Sequence, residues 1–222
     1  MAAESNVRAE GRGRSVVQSR AIEKREQLLL GAAAVFDEVG YSGATLSLIE
    51  QRSGVSRGAM YFQFTTKREI ADAVIDEQHR ASSRLTEAAA ATGAGPIEQL
   101  VMMSHGLARQ ILDDPLVRGG IRLTMELAFD DSPVHPYLGW ITVMADLLRQ
   151  GQSEGIIDAE VDADAAARVL VASYTGTQVV SHVLEARKDL PRRVDDLLRI
   201  FLTGIMTPRG RDERERILGA RA

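Results

Sequence analysis

Apolar residues recur at intervals of three and four along most of the chain, and strand-like alternation is scarce, so the pattern predicts an all-α fold. The first predicted helix runs from Arg20 to Glu38, with Ile22, Leu29, Ala32, Ala33 and Phe36 on one face and Gly40 at its end. Two short helices follow, over Leu46 to Arg52 and Arg57 to Phe62. A long helix from Lys67 to Ala91 then carries Ile70, Val74, Gln78 and Leu85 on a broad face, and the run ATGAGP at 91–96 breaks it. Further helices are predicted from Pro96 to Leu112, from Pro115 to near Phe129, from Pro136 or Tyr137 to about Glu154, from an Asp162 cap to about Arg187, and from Pro191 to about Met206. DDSPVHP reads as a loop. Residues 1–19 have no period and read as a flexible arm, in which Arg8, Arg12 and Arg14 are candidates for a minor groove against the plainer reading of a solvated tail. The boundaries are an arm at 1–19, a three-helix domain at 20–70, a helical domain at 71–208 and a charged, frayed tail at 209–222.

The segment Thr45 to Lys67, TLSLIEQRSGVSRGAMYFQFTTK, carries the chemistry. Leu46 and Ile49 face inward, Gly54 supplies a left-handed end to the first short helix, Val55 plugs the gap and Ser56 caps the second. This is a helix-turn-helix pattern, with a second helix suited to a DNA major groove. Gly58 and Ala59 are too small to hold that helix off the base edges. Arg57 and Tyr61, four apart, share a face and can reach phosphates, and Lys67 offers another cation beside Thr65 and Thr66. A small helical hairpin with ordinary caps is the plain alternative. The combination of cap, small residues, Tyr-Phe and Lys favours the DNA reader.

Charge supports this once it is divided along the chain. The whole chain of 222 residues carries a net charge of −4, but residues 1–70 hold ten Lys/Arg against eight Asp/Glu, whereas residues 71–222 hold 17 against 23. The positive charge sits with the motif, and the acidic remainder limits non-specific binding. There is no cysteine, so no disulfide framework or thiolate metal site is available, and nothing in the sequence calls for a cofactor. No long apolar run or signal-like core appears, which leads to the expectation of a soluble, cytoplasmic protein.

The segment Ile22 to Ala71 resembles the DNA-binding domain of TetR-type transcriptional repressors: LLLGAAAVFDEVGY, the turn Gly40-Tyr41, the opening Ala44-Thr45-Leu46, and above all VSRGAMYFQFTTKREI. The resemblance implies DNA contacts from Thr45, Ser56, Arg57, Gly58, Ala59, Tyr61, Gln63 and Lys67, with Gln63 standing where His or Tyr is usual. RGAMYFQF, DEQHRASSRL, DDPLVRGGIRL, PYLGW and VASYTGTQVV are similar to the γ-butyrolactone-receptor branch of antibiotic-producing actinomycetes. That implies a C-terminal ligand-binding and dimerisation domain, a homodimer on a palindromic operator, release by a γ-butyrolactone or butenolide-type signal, and control of antibiotic or other secondary-metabolite genes. It also implies a pocket in which Trp140 stacks on the lactone, Gln78 or Thr175 binds an oxygen, and Leu107, Ile111, Met125, Met144 and Val171 line the wall. Without the resemblance Trp140 would read as a core aromatic. The last two long helices carry apolar residues on more than one face, as a helix shared with a second subunit requires.

Other classes weigh less. His79, His105, His135 and His182 form no close helical pair, and there is no Gly-x-Ser-x-Gly, P-loop or dinucleotide fingerprint, so an enzyme is not expected. A TetR-type regulator of an antibiotic or fatty acyl compound and a ligand-independent DNA-binding protein remain as alternatives.

Overall fold

The computed structural model describes the backbone of residues 2–127 and 136–221. Side chains are described for 20–127 and 137–221. The DDSPVHP loop lies largely outside the described residues, as do the side chains of Arg8, Arg12 and Arg14. The helices are α1 (Ala2–Gly43), α2 (Leu46–Ser53), α3 (Arg57–Gln63), α4 (Lys67–Ala91), α5 (Pro96–Asp113), α6 (Pro115–Leu127), α7 (Pro136–Ser153), α8 (Ala163–Glu185), α9 (Leu190–Ile205) and α10 (Pro208–Leu218). Among the described residues the only extended pairing is an isolated bridge between Ile157 and Met206. No described helix is long and apolar enough to cross a membrane.

Three expectations change. The segment read as a flexible arm continues the first helix, since α1 begins at Ala2. Its Ala, Glu and Arg residues are good helix formers, and no proline interrupts them. The tail read as frayed is the helix α10. Thr207 caps it, its hydroxyl accepting from Gly210 N–H at 3.0 Å, and Pro208 occupies the first turn. Ile217 and Leu218 are buried, which docks the helix. The chain divides into two compact units, Met1–Gln78 with Pro115–Leu127, and His79–Asp114 with Ala128–Ala222. The first boundary therefore falls inside α4 at Gln78, not near residue 70, and α6 belongs with the N-terminal helices.

The physical reason is a set of bonds between α6 and α1. Arg118 Nε pairs with Asp37 Oδ2 at 2.9 Å, and Arg122 donates to the Asp37 carbonyl at 2.5 Å. The Glu126 carboxylate accepts from Tyr41 N–H at 2.6 Å, just after Gly40, whose φ of 72° breaks the helix there. Gly119 lets the α6 backbone lie directly on Ala33, because a side chain at 119 would run into the Ala33 carbonyl. Leu28, Leu29, Phe36, Ile49, Met60, Phe64, Ile70, Val74 and Leu123 fill the core of this first unit.

In the second unit α7 packs on both α5 and α8, and α9 packs on α5 and α8. Tyr174, buried on α8, donates its hydroxyl to the Ser104 carbonyl of α5 at 2.9 Å. α10 is held by Arg199–Glu215 at 2.6 Å and by an Arg216–Glu98 pair. Beyond it Arg221 pairs with Asp195 at 2.7 Å, and Asp195 lies 3.3 Å from the buried His105 imidazole without forming an aligned hydrogen bond to it.

Burial, reinforced by the positive charge of Arg221 and Arg109 and opposed by Asp195, lowers the His105 pKa from 6.5 to about 4. The unfolded chain therefore binds this proton at a higher pH than the folded chain does. His105 contributes stability that is fully present above pH 6.5 and is lost as the pH falls toward 4, on the order of 3 kcal/mol. Urea unfolding between pH 7 and 4 should show this decline in the wild-type protein, and the His105→Gln variant should show a shallower slope over the same interval.

Candidate DNA-binding site

Two helices of one or two turns cannot hold themselves in water, so the reader depends on its caps and its core. The Thr45 hydroxyl accepts from Leu48 N–H at 3.2 Å and opens α2. Gly54, at φ 68°, closes α2 by donating its N–H to the Glu50 carbonyl at 2.9 Å. Ser56 caps α3 by accepting from Ala59 N–H at 3.5 Å. One contact was not legible in the sequence. The Glu50 carboxylate accepts from Arg57 N–H at 2.8 Å, so α2 latches the first turn of α3 directly. Val55, Met60 and Phe64 are buried beneath the pair.

Ser56, Arg57, Gly58, Tyr61 and Phe62 form the exposed side of α3, and Thr45 is exposed at the start of α2. The Thr45 and Ser56 hydroxyls accept their capping bonds, which leaves each O–H as a donor for a phosphate oxygen. Gly58 has open space where a side chain would be. Ala59 stands apart from this group. It is partly buried against the core, so its small size sets how closely α3 approaches that core. Gln63 is partly buried, and its carbonyl oxygen has no hydrogen-bond partner.

Lys67 has a role the sequence did not suggest. Its ammonium donates to the carbonyls of Tyr41 at 2.7 Å and Ala44 at 2.9 Å, and lies 4.4 Å from the centroid of the Tyr41 ring. Two of its three donors thus close the end of α1, leaving one for a phosphate. At the start of α4 the Thr66 hydroxyl accepts from Glu69 N–H, while Glu69 accepts from Thr65 N–H at 2.7 Å.

The residues expected to line a pocket divide between the units. Gln78 and Met125 lie in the first. Gln78 is buried, with its β-carbon against Gly120, and Met125 is partly exposed on α6. Leu107, Ile111, Trp140, Met144, Val171 and Thr175 lie in the second, on the neighbouring helices α5, α7 and α8. Ile111 and Met144 are buried, whereas Leu107, Trp140, Val171 and Thr175 are partly exposed. Thr175 donates to the Val171 carbonyl at 2.9 Å; burial raises the Tyr137 pKa, and the nearby Thr175 hydroxyl opposes that rise. Tyr137 was missed in the sequence, although its position three residues before Trp140 places it on the same helical face. Among the described residues no group of His, Asp and Glu could hold a metal ion.

A capped helix-turn-helix on an all-helical frame defines a DNA-binding regulator as the class. Residues 28–74 match the family model for bacterial regulatory proteins of the tetR family, and residues 94–207 match that for the tetracyclin repressor-like C-terminal domain. The chain belongs to the TetR family. It is 35% identical to the A-factor receptor protein of Streptomyces griseus over 86% of this chain and 67% of that protein. It is also similar to the crystal structure of an ArpA-like γ-butyrolactone receptor, at 31% identity and a TM-score of 0.79, covering 90% of this chain and 94% of that one. A third similarity is to the TetR family protein CprB from Streptomyces coelicolor in complex with its biological operator sequence, at 31% identity and a TM-score of 0.77, again covering 90% and 94%.

The latch from Glu50 gives a specific expectation. Glu50→Ala should loosen the first turn of α3 and weaken DNA binding about tenfold while leaving the salt dependence of binding unchanged, because no phosphate contact is removed. Titrations by fluorescence anisotropy at several salt concentrations would measure both.

Proposed function

We propose that this protein is a ligand-responsive transcriptional repressor. A homodimer binds a palindromic operator on the chromosome and is released when a γ-butyrolactone or butenolide-type signal binds the C-terminal domain. The targets are genes of antibiotic or other secondary metabolism. The observation that carries the DNA-binding part is the exposed arc of α3, where Arg57, Gly58 and Tyr61 stand clear above a buried Met60. The operator complex of the similar protein CprB supports the same reading.

Support for the homodimer comes from α8 and α9, where Val169, Val180, Val183, Leu184 and Ile200 are large, apolar and exposed within one chain. Such a strip is costly in water and suits a second copy related by two-fold symmetry, which in turn suits a palindromic operator. The lactone reading rests on the similarity to γ-butyrolactone receptors and on the set around Trp140. Trp140 offers a flat apolar face, the Tyr137 hydroxyl, or the Thr175 hydroxyl once turned from the Val171 carbonyl, donates to ring or side-chain oxygens, and Leu107, Ile111, Met144 and Val171 supply the apolar remainder. Because α4 runs unbroken from the first unit into the second, ligand that favours one tilt of α4 would change the spacing of the two α3 helices. Operator affinity would then fall.

Mobility shifts on palindromic DNA from the region flanking the gene test the DNA-binding reading. Arg57→Ala should weaken binding and reduce its salt slope by roughly one unit per lost phosphate contact per subunit, whereas Tyr61→Ala should weaken binding with the slope unchanged, because a neutral phenol displaces no counterion. An unchanged slope in Arg57→Ala would remove Arg57 from the phosphate contacts, and unchanged affinity in Tyr61→Ala would remove Tyr61.

The single tryptophan serves as a probe of the ligand. Adding a 2-alkanoyl γ-butyrolactone should change its fluorescence saturably, and Trp140→Ala should abolish release by the lactone while preserving operator binding. Loss of operator binding in that variant as well would return Trp140 to a core role.

A further inference from the structure

Phe62 is 89% exposed, the most exposed of the large apolar side chains among the described residues. Folding does not use it, since Met60 and Phe64 on either side fill the core and the caps of α3 come from Ser56 and Phe64. A helical side chain leans over the turn N-terminal to it, which for Phe62 is the turn holding Gly58. Apart from its chain neighbours and the backbone of its own helix, no atom lies within 4 Å of the place where a Gly58 side chain would begin, so the Phe62 ring does not fold back onto Gly58, and its 89% exposure shows that it projects into solvent. It does so from the exposed arc that holds Arg57 and Tyr61.

A phenyl ring cannot hydrogen-bond a phosphate or the polar edge of a base. In the major groove the one apolar feature a base pair offers is the C5-methyl group of thymine. We propose that Phe62 is a specificity-determining residue that packs on the methyl group of a thymine in each operator half-site. Arg57 and Tyr61 position α3 through phosphates, the open space at Gly58 admits the base edges, and Phe62 reads the methyl. The proposal rests on the reading of the protein as an operator-binding dimer and adds to it a base preference at one position.

Replacing thymine by uracil removes the methyl group and leaves base pairing intact. Each thymine of a bound palindromic operator would be replaced in turn, symmetrically in both half-sites, and binding measured by anisotropy for the wild type, Phe62→Ala and Phe62→Leu. The expected result is one position at which uracil weakens wild-type binding by roughly three- to fivefold per half-site, the worth of one buried methyl group. At that position Phe62→Ala should show no difference between thymine and uracil, Phe62→Leu should keep part of it, and the salt slope of all three proteins should be the same. The exposed ring can be removed without loss of the fold, and circular dichroism would verify this. Wild-type indifference to uracil at every thymine would overturn the proposal. So would a uracil penalty that persists undiminished in Phe62→Ala. Both results leave operator binding in place and so differ from failure of the wild type to bind any palindromic DNA, which would overturn the functional reading along with this one.

Discussion

The DNA reader depends on the bonding of α6 to α1. α2 and α3 have eight and seven residues, too few to be stable alone, and they take their orientation from the face of α1 that carries Phe36. α1 in turn is gripped near its C-terminal end by Arg118 and Arg122 at Asp37 and by Glu126 at Tyr41 N–H. The Tyr41 carbonyl then receives the Lys67 ammonium. One chain of hydrogen bonds therefore runs from α6 through the end of α1 to the first residue of α4, enclosing the helix-turn-helix. That α6 lies within the stretch matching the C-terminal family domain, yet joins the N-terminal unit, shows that family boundaries and packing boundaries differ here.

What was legible in the sequence follows from the range of the interactions. The helix-turn-helix could be read because its signals are local. Thr45, Gly54 and Ser56 act on backbone groups within four residues, and the inward Ile49 and Met60 follow helical spacing. The same holds for the Asp162 cap of α8, whose carboxylate accepts from the N–H groups of Asp164 and Ala165. The errors lie where distant residues decide. Ile217 and Leu218 look like stray apolar residues in a charged tail until the rest of the second unit buries them. The α1–α6 bonds join residues 81 and 85 apart, so neither the boundary at Gln78 nor the membership of α6 could be read from composition or period. Lys67 could be placed at the start of a helix, but the two carbonyls it binds are 23 and 26 residues away.

The candidate sites show the same contrast. The exposure of Arg57, Gly58 and Tyr61 was legible because helical spacing sets them on the side away from the inward Met60. Phe62 entered the sequence reading only as part of the Tyr-Phe pair that favours a DNA reader, and packing shows that its ring lies outside the core filled by Met60 and Phe64. The residues proposed to surround Trp140 come from α5, α7 and α8, and Tyr137 and Thr175 are far apart in sequence, so their grouping could not be read from local spacing.

The central claim is that one chain couples an operator reader to a lactone sensor. Its most direct measurement is the affinity of the purified protein for its palindromic operator, taken by anisotropy at fixed salt with and without saturating 2-alkanoyl γ-butyrolactone, the fluorescence of Trp140 establishing saturation. The account predicts that affinity falls at least tenfold when lactone is bound. Saturated tryptophan fluorescence with operator affinity unchanged would contradict it.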